Sequence, residues 1–221
     1  MNKQMFLDKS LNSISNIYDT IYNQNSINLS SYKPNETAII IIDMLNGFVK
    51  CGNLKNGRNI EINDKIANFL KKVTELKIPK VFLADSHTES STEFSSFPNH
   101  CVKNTFEAQV TKEIAEINDY HFIEKNSTNG FFAPGFISWL KNNKHINNFI
   151  VIGVCTDICI QQFCLTLKAY FNQINSQKSV FVPIDLVETY TDELRDAGLA
   201  NLMSLYNMYI NGIKIVSEIE Y

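Results

Sequence analysis

The stretch FIVIGVCTDICI, residues 149–160, contains the change from strand to helix on which the fold depends. Residues 149–154 form a short apolar, β-branched run that predicts a buried strand. Residues 157–172 have the spacing of an amphipathic helix, which places Cys159 at its N-terminus. Free backbone N–H groups and a partial positive charge there stabilise a thiolate. Cys159 is therefore a candidate nucleophile, and the alternative is a thiol that only fills the core.

Strand-like and helix-like runs alternate along most of the chain. Six apolar runs predict strands, at residues 38–42, 80–84, 120–123, 149–154, 179–183 and 213–216. Segments with helical periodicity lie between them, at residues 62–73, 107–117, 136–141, 157–172 and 192–209. This alternation predicts an α/β fold with a mostly parallel six-stranded sheet and helices on both faces.

The first 36 residues predict a separate N-terminal extension. Apolar side chains recur there at three- and four-residue spacing and indicate an amphipathic helix: Leu7, Leu11, Ile14, Tyr18 and Ile21. Residues 32–35 include Pro34 and indicate a linker. The predicted organisation is an extension over residues 1–36 followed by one domain over residues 37–221.

The composition limits the classes of partner. The chain has 221 residues, of which 44% are hydrophobic and 19% charged, and this is typical of a soluble globular domain. Its net charge of −3 and its lack of a Lys/Arg cluster disfavour nucleic acid or an anionic membrane as the partner. A small-molecule ligand is the expectation.

The cysteines and apolar runs also indicate a compartment. The five cysteines are odd in number and no secretory signal is visible, which disfavours a disulfide framework. The longest apolar run, near residues 38–42, is far too short to span a bilayer. We expect a reducing compartment and a cytoplasmic protein.

Polar residues follow four of the predicted strands. The first run ends at Asp43, the second in residues 85–87, the third in Glu124 and Lys125, and the fourth in residues 155–157 with Cys159 just beyond. Ligands of open α/β sheets bind beyond the carboxyl ends of the strands, so these side chains could meet in one cleft.

A cysteine nucleophile needs a base for its proton or a cation for its thiolate. We assign the proton-acceptor role to Asp43 and the electrostatic role to Lys125. The alternatives are that Asp43 caps a turn and that Lys125 is a solvated strand end. Asp157 is interpreted as a helix N-cap without a chemical role.

Asp43 with Phe48, then Lys125, then the TDIC segment ending in Cys159 resemble the isochorismatase-like cysteine hydrolases over residues 37–218. The resemblance implies a catalytic triad of Asp43, Lys125 and Cys159. It also implies a cis peptide between Val154 and Cys155. The backbone N–H groups of Cys155 and Cys159 would then form the oxyanion hole, a role that preorganised amides can fill.

One segment offers a candidate metal site. Its oxygen and imidazole ligands suit a borderline divalent ion, and the alternative is a solvated polar loop: Asp85, His87, Glu93 and His100. Nicotinamidases resemble this stretch in having Asp-x-His followed by aromatic-Pro-x-His, here residues 97–100, and in some a Glu seven positions before the second His. The resemblance implies zinc, iron or manganese.

The same resemblance implies a substrate and its pocket. The metal would hold the pyridine nitrogen of nicotinamide while the carboxamide faces Cys159, and Phe48, Phe97 and Phe132 would form aromatic walls. The chain departs from the family pattern in two places. Residues 43–48 read DMLNGF where Asp-x-Gln-x-Asp-Phe is commoner, and Phe97 replaces a frequent Trp.

The function expected from these residues is that of a metal-dependent cysteine amidohydrolase, a nicotinamidase that works through a thioester. One alternative is another hydrolase of the family, acting on a different small amide or a vinyl ether. A second is a non-catalytic binding protein on the same fold. A structural zinc site at Cys155 and Cys159 is disfavoured, because no second ligand pair has suitable spacing. Self-association is expected, and the leading helix could seal that interface or cover its own sheet.

Overall fold

A computed structural model describes residues 2–221. The strands, in chain order, are β1 (Ile27–Asn28), β2 (Thr37–Ile42), β3 (Lys80–Asp85), β4 (His121–Lys125), β5 (Asn148–Val154), β6 (Ser179–Pro183), β7 (Val187–Glu188), β8 (Lys214–Val216) and β9 (Ile219–Glu220). The α-helices are α1 (Lys3–Tyr22), α2 (Asn46–Val49), α3 (Gly57–Glu75), α4 (Lys112–Ala115), α5 (Pro134–Asn142), α6 (Gln161–Gln173) and α7 (Ala197–Ile210).

The central sheet is parallel, with strand order β4-β3-β2-β5-β6-β8. These six strands are the six predicted from sequence, so the α/β fold class is confirmed. A seventh strand, β7, pairs with the end of β5, and its two residues are too short to produce a periodic pattern. The chain runs outward from β2 in one direction through β3 and β4 and in the other from β5. The switch point between β2 and β5 is where such sheets bind ligands.

Helices cover both faces of the sheet. Alternate residues of β2 point to opposite sides, so Ile40 and Ile42 pack with α1, α5, α6 and α7, while Ile39 and Ile41 pack with α3 and α4. All six residues of β2 are buried, and so are all six of β3. Burial on two faces explains why these strands read as continuous apolar runs.

The segment before residue 37 packs on the domain. The α1 side chain of Ile21 is fully buried in the core on the α7 side, and β1 pairs in parallel with β9 through Ile27 and Ile219. The first half of α1 is exposed, including Phe6 and Leu11. The division at residue 36 stays a prediction, because one core contains residues from both sides of it.

Two predicted helices are shorter in the structure. Only Lys112–Ala115 of the predicted 107–117 segment is α-helical, because the carbonyls of Glu107 and Gln109 accept hydrogen bonds from the start of α2 instead. The last long helix begins at Ala197 and not at 192, because the Asp196 carboxylate accepts the N–H of Leu199 at 2.8 Å and caps it there.

Within residues 2–221, no helix combines the length and the apolar character needed to cross a bilayer.

Candidate active site

Three side chains from separate strand ends lie together at the carboxyl edge of the sheet. Asp43 directly follows β2, Lys125 is the last residue of β4, and Cys159 lies in the turn between β5 and α6. Lys125 Nζ is 2.8 Å from Asp43 Oδ2 and 3.8 Å from Cys159 Sγ. No more than 5% of any of the three residues is exposed. The structure therefore brings the predicted acid, ammonium and thiol together.

The backbone of β3 fixes the Asp43 carboxylate. Asp43 has a positive φ of 54°, a conformation that Asp tolerates better than most residues, and its N–H donates to the carbonyl of Leu83 at 3.0 Å. Its Oδ1 accepts the backbone N–H of Asp85 at 2.9 Å. The other oxygen is left beside the Lys125 ammonium.

A close approach of β2 and β5 sets the position of β5, the strand that leads to Cys159. Gly153 pairs with Ile42 and has a φ of +121°. A Cβ at Gly153 would lie 2.0 Å from the Ile42 carbonyl oxygen, so only glycine allows this spacing. Asp43 follows Ile42 and Val154 follows Gly153, so both strands enter the site directly after this close contact.

Cys159 lies on a short, wide helical turn. The Val154–Cys155 peptide is cis, as the family resemblance implies. Residues Thr156–Ile160 form a single π-helical turn, with the N–H of Ile160 donating to the carbonyl of Cys155 at 3.1 Å, and α6 continues from it. Such turns inside helices are frequent at functional sites.

The buried charged side chains of the site lie in contact and shift one another's pKa values. Lys125 Nζ donates to Asp85 Oδ1 at 2.5 Å, so one buried ammonium serves two buried carboxylates. Burial raises the pKa of Asp43 to about 6, with Asp85 adding to this and Lys125 opposing it. Burial also favours the neutral form of Asp85, but the Lys125 charge, together with the neighbouring His100 and His87, outweighs this and holds the pKa of Asp85 well below its usual range.

The two cysteines of the turn differ. Burial raises the pKa of the Cys159 thiol well above its usual value, although the Lys125 charge opposes this. The Cys159 sulfur lies within 4.8 Å of a carboxylate oxygen of Asp43, so the thiol has a proton acceptor beside it. Burial raises the pKa of Cys155 to about 12, and Cys155 belongs to neither cluster of candidate metal ligands within residues 2–221. Cys159 is thus the thiol with a partner.

The four predicted metal ligands form one cluster next to this site. One ligand atom from each residue lies within 4.8 Å of all the others: Asp85, His87, Glu93 and His100. His87 Nε2 is 3.4 Å from Asp85 Oδ1 and 3.7 Å from Glu93 Oε1, and His100 Nε2 is 3.5 Å from Asp85 Oδ2. Asp85 therefore belongs to both the cluster and the ion pair with Lys125.

Neighbouring groups orient both imidazoles. His87 Nδ1 lies 3.1 Å from Asn126 Oδ1, and His100 Nδ1 lies 2.8 Å from the carbonyl of Pro98. Both partners are acceptors, so each Nδ1 carries the proton and each Nε2 presents a lone pair to the cluster. Oriented imidazoles of this kind are typical of metal sites.

A divalent metal ion fits these residues. His87 Nε2 and Glu93 Oε1 are buried without a hydrogen-bond partner, and unsatisfied buried polar atoms are costly unless something binds them. Two imidazoles and two carboxylates match the ligand preferences of zinc, iron or manganese. The second Glu93 oxygen accepts the N–H of Thr128 at 2.8 Å, which orients that carboxylate.

A cleft borders the Cys159 thiol. Its floor includes Cys155 and Cys159, and the cluster residues Asp85, Glu93 and His100 border it. Its other walls are mainly apolar and include Phe48, Leu54, Phe97, Ile158 and Tyr190. A concave, largely apolar site with a few convergent polar groups is typical of a small-molecule pocket.

Two of the three predicted aromatic walls lie in this cleft. Phe48 packs against the His100 ring with a centroid distance of 5.6 Å, and Phe97 does so at 6.3 Å. Phe132 does not reach it, because 63% of that residue is exposed and it borders a separate groove near Ser86 and Pro134. The short helical turn Gly130–Phe132 turns this ring outward.

Asp157 is not the N-cap that the sequence suggested. Cys155 occupies the cap position, and Asp157 lies inside the first turn. Its carboxylate accepts the hydroxyl of Thr189 at 2.7 Å and pairs with Arg195. The turn therefore starts two residues earlier than the sequence pattern suggests.

Several site residues have no signal in the sequence. Asn126 and Thr128 follow β4 in a polar loop, and Tyr190 follows the short β7, which the periodicity does not reveal. Asn126 could have been found only from its place one residue after Lys125. Arg195 lies in a segment predicted to be helical, and the sequence pattern gives it no role.

The arrangement is suited to nucleophilic chemistry. A thiol lies beside a carboxylate that can take its proton, and a fixed ammonium lies within reach of both. An apolar cleft opens onto the sulfur, with oriented imidazoles and carboxylates on its border. Attack of Sγ on an electrophilic carbon, with the proton moving to Asp43, requires these parts.

The chain is similar in sequence to known proteins. A family model, the isochorismatase domain, matches residues 37–211. The chain is 26% identical over 175 residues to nicotinamidase 1 of Arabidopsis thaliana, a match covering 72% of this chain and 69% of that relative.

Solved structures also match. The pyrazinamidase of Pyrococcus horikoshii in complex with zinc gives a TM-score of 0.68 at 24% identity, covering 84% of this chain and 99% of that one. N-carbamoylsarcosine amidase from Thermoplasma acidophilum gives 0.67 at 22% identity, covering 82% and 95%. These similarities establish the same fold.

The fold and the site together define an α/β hydrolytic protein with a cysteine at the carboxyl edge of its sheet. The chain belongs to the isochorismatase family, since the family model covers most of its length. It is a hydrolase of that family with nicotinamidase-like relatives, and the resemblance drawn from Asp43, Lys125 and the TDIC segment is confirmed.

Proposed function

We propose that this hydrolase is a metal-dependent cysteine amidohydrolase that converts nicotinamide to nicotinate and ammonia. The observation that carries the proposal is the single cleft shared by the Cys159 thiol, flat aromatic walls and an oriented donor cluster. A planar heteroaromatic amide matches such a cleft, because aromatic rings stack on one another and bury apolar area. A curated relative that is itself a nicotinamidase adds support.

The first half of the reaction forms a thioester. Asp43 accepts the Cys159 proton while Sγ attacks the carboxamide carbon, and the C=O electrons move to the oxygen. The backbone N–H groups of Cys155 and Cys159 hold that oxyanion. As the C–N bond breaks, the proton passes from Asp43 to nitrogen and ammonia leaves. Lys125 remains an ammonium throughout and stabilises the thiolate as it forms.

The second half restores the enzyme. Asp43 takes a proton from water as the water oxygen adds to the thioester carbon. Collapse of this intermediate breaks the C–S bond, and the proton on Asp43 returns to sulfur, which yields the free acid and the thiol. The same carboxylate therefore acts as base and acid in turn.

Asp85, His87, Glu93 and His100 would hold a divalent metal ion, which when bound supplies a Lewis-acid position for a ring nitrogen. The unpartnered Nε2 of His87 and Oε1 of Glu93 support this assignment. Phe48 and Phe97 pack against the His100 imidazole, so an aromatic ligand bound there would lie between apolar walls and the donor cluster.

A second candidate is hydrolysis of a different small amide. The N-carbamoylsarcosine amidase shares the fold, and DMLNGF and Phe97 change the wall from the commoner family residues. A changed wall alters which substrate is selected. A reducing compartment such as the cytoplasm suits either reaction, because both need the free thiol of Cys159.

The test is ammonia and acid release by the purified, metal-loaded protein from a panel of amides that includes nicotinamide and aliphatic ureido acids. We expect turnover of nicotinamide and its loss in Cys159→Ala. Cys164→Ala is the matched control, since Cys164 is a buried cysteine of α6 outside the cleft. Turnover of another amide alone would favour the second candidate. Full activity in Cys159→Ala would overturn both.

A non-catalytic binding protein is tested by thiol reactivity. Iodoacetamide should modify Cys159 faster than it modifies a model thiol, because Asp43 can accept the proton and Lys125 can stabilise the thiolate. Alkylation no faster than that of the model thiol, together with no turnover of any amide, would support the binding-protein alternative.

A further inference from the structure

Both arginines of the chain pair with one short segment beside the cleft. Arg58 Nη2 lies 2.8 Å from Glu188 Oε2, and Arg195 Nη2 donates to Thr189 Oγ1 at 2.6 Å. Every other basic side chain, apart from histidine, is a lysine. Arginine differs from lysine in its planar, multi-donor head, which can bond and stack at the same time.

This segment forms an edge of the active site. Its strand β7 pairs with the last two residues of β5, Gly153 and Val154, directly before Cys155. Two residues beyond β7, Tyr190 lines the cleft together with Cys159. The position of Tyr190 therefore decides part of the shape of the space above the thiol.

One guanidinium connects this wall to the nucleophile turn. The Arg195 Cζ lies 3.9 Å from the centroid of the Tyr190 ring. The same side chain pairs with Asp157, which lies two residues before Cys159 in the π-helical turn. Only 18% of the Arg195 side chain and 19% of the Asp157 side chain are exposed, so water screens the pair weakly.

The Arg195 backbone is held in place from both sides. The N–H of Asp192 donates to the Arg195 carbonyl at 3.0 Å, which closes a tight turn. The next residue, Asp196, is the N-cap of α7. Leu194, at the tip of the turn, is fully exposed. The loop itself is thus a surface turn, and its inward contact with the cleft wall runs through the Arg195 side chain.

We propose that Arg195 is a positioning residue that holds Tyr190 as a fixed wall of the cleft and thereby selects flat, aromatic ligands for Cys159. Arg195 does not border the cleft and acts through Tyr190 and Asp157. The proposal rests on the proposed function only in taking Cys159 as the reacting thiol, and its test requires no amide substrate.

The test measures selectivity with two alkylating probes in a Cys51→Ala background, since Cys51 is a partly exposed free cysteine. Iodoacetamide is small, and iodoacetanilide carries a flat phenyl ring on the same reactive group. The readout is the ratio of their second-order rate constants at Cys159, measured by mass spectrometry. A change that only weakens folding alters both rates and leaves the ratio unchanged.

We expect Tyr190→Leu to lower the iodoacetanilide preference, and Arg195→Gln to lower it on the order of fivefold, as loss of a cation–π contact predicts. The double variant should lower it no further than Tyr190→Leu alone, because both changes remove the same wall. Arg58→Gln is the matched control, since it pairs with the same segment but touches neither the Tyr190 ring nor Asp157. Its ratio should equal that of the parent.

A parental ratio in Arg195→Gln would overturn the proposal, whatever Tyr190→Leu does. Additive effects in the double variant would also overturn it. If Arg195→Gln does not fold, Arg195→Lys takes its place. A ratio of alkylation rates between that of the parent and that of Tyr190→Leu would then support the proposal, and the parental ratio would contradict it. Failure to hydrolyse nicotinamide would count against the proposed function and leave these ratios unaffected.

Discussion

Lys125 Nζ lies 2.5 Å from Asp85 Oδ1, so the ammonium of the candidate triad and a carboxylate of the candidate metal cluster are joined by a hydrogen bond. The other Asp85 oxygen lies 3.5 Å from His100 Nε2. The nucleophile and the donor cluster therefore share one charged unit with Asp43, and none of its members is solvated. In a medium of low dielectric, a charge change at one end is felt at the other.

Removal of the Lys125 ammonium should therefore lower the free energy of unfolding. Lys125→Met leaves Asp43 and Asp85 buried without a counter-charge, and we expect a loss of about 3–5 kcal/mol in the free energy of unfolding. Urea denaturation of chelator-treated protein measures this. Lys80→Met is the control, because Lys80 is also buried but its partner Asp119 is 65% exposed and can rehydrate. If Lys125→Met lost no more unfolding free energy than Lys80→Met, Lys125 would not be the counter-charge that Asp43 and Asp85 share.

The reactivity of Cys159 should depend on the protonation of Asp43. Burial raises the pKa of this carboxyl to about 6, and only its ionised form can take the thiol proton. As pH falls through about 6, the carboxyl binds a proton and the alkylation rate should fall about tenfold per further unit. Iodoacetamide rates between pH 4.5 and 8 on metal-stripped Cys51→Ala protein test this. A first inflection near the pKa of a free thiol, with none near 6, would exclude Asp43 as the acceptor.

Metal affinity should depend on Asn126. Its side-chain oxygen accepts from His87 Nδ1 at 3.1 Å and so fixes the tautomer that presents Nε2 to the cluster. Asn126→Ala should weaken zinc binding about 10–100-fold, the usual effect of losing such a partner. Chelator competition measures the dissociation constant without any substrate. Ser86→Ala is the control, because Ser86 is next to His87 in sequence but bonds Glu124 outside the cluster. Equal zinc affinities for both variants would refute the role of Asn126.

The strand ends are the part of the site that sequence can predict. Asp43, Lys125 and Cys159 each stand where an apolar run stops, and a parallel sheet brings such ends to one edge. Tyr190 and Arg195 follow a strand of two residues, which no periodicity reveals. Their role depends on pairing between β7 and β5, a long-range contact that local patterns do not contain.

Two other differences between the predicted and the observed structure also arise from contacts that local sequence patterns do not contain. The aromatic character of Phe132 is visible in the sequence, but its outward direction follows from the helical turn at Gly130–Phe132. Residues 107–110 form a turn and a single bridge instead of a helix, because the carbonyls of Glu107 and Gln109 accept hydrogen bonds from α2 that compete with helical ones. Self-association and a cytoplasmic location stay predictions of the sequence.

Gly153 provides the most direct test of how the fold sets the site. A Cβ there would lie 2.0 Å from the Ile42 carbonyl oxygen, and the φ of +121° is itself strained for any other residue. Gly153→Ala must therefore push β5 away from β2, which also separates the turn carrying Cys159 from Asp43. We expect a loss of more than about 3 kcal/mol in unfolding free energy, measured by urea denaturation.

Gly57→Ala is the matched control for this substitution. Gly57 begins α3, and a Cβ there would meet no atom within 4 Å. Alanine at this position should change stability by less than about 1 kcal/mol, because it removes only chain entropy from the unfolded state. If Gly153→Ala were as stable as Gly57→Ala and kept the Cys159 alkylation rate, the spacing of β2 and β5 would not be what holds Asp43 beside the thiol.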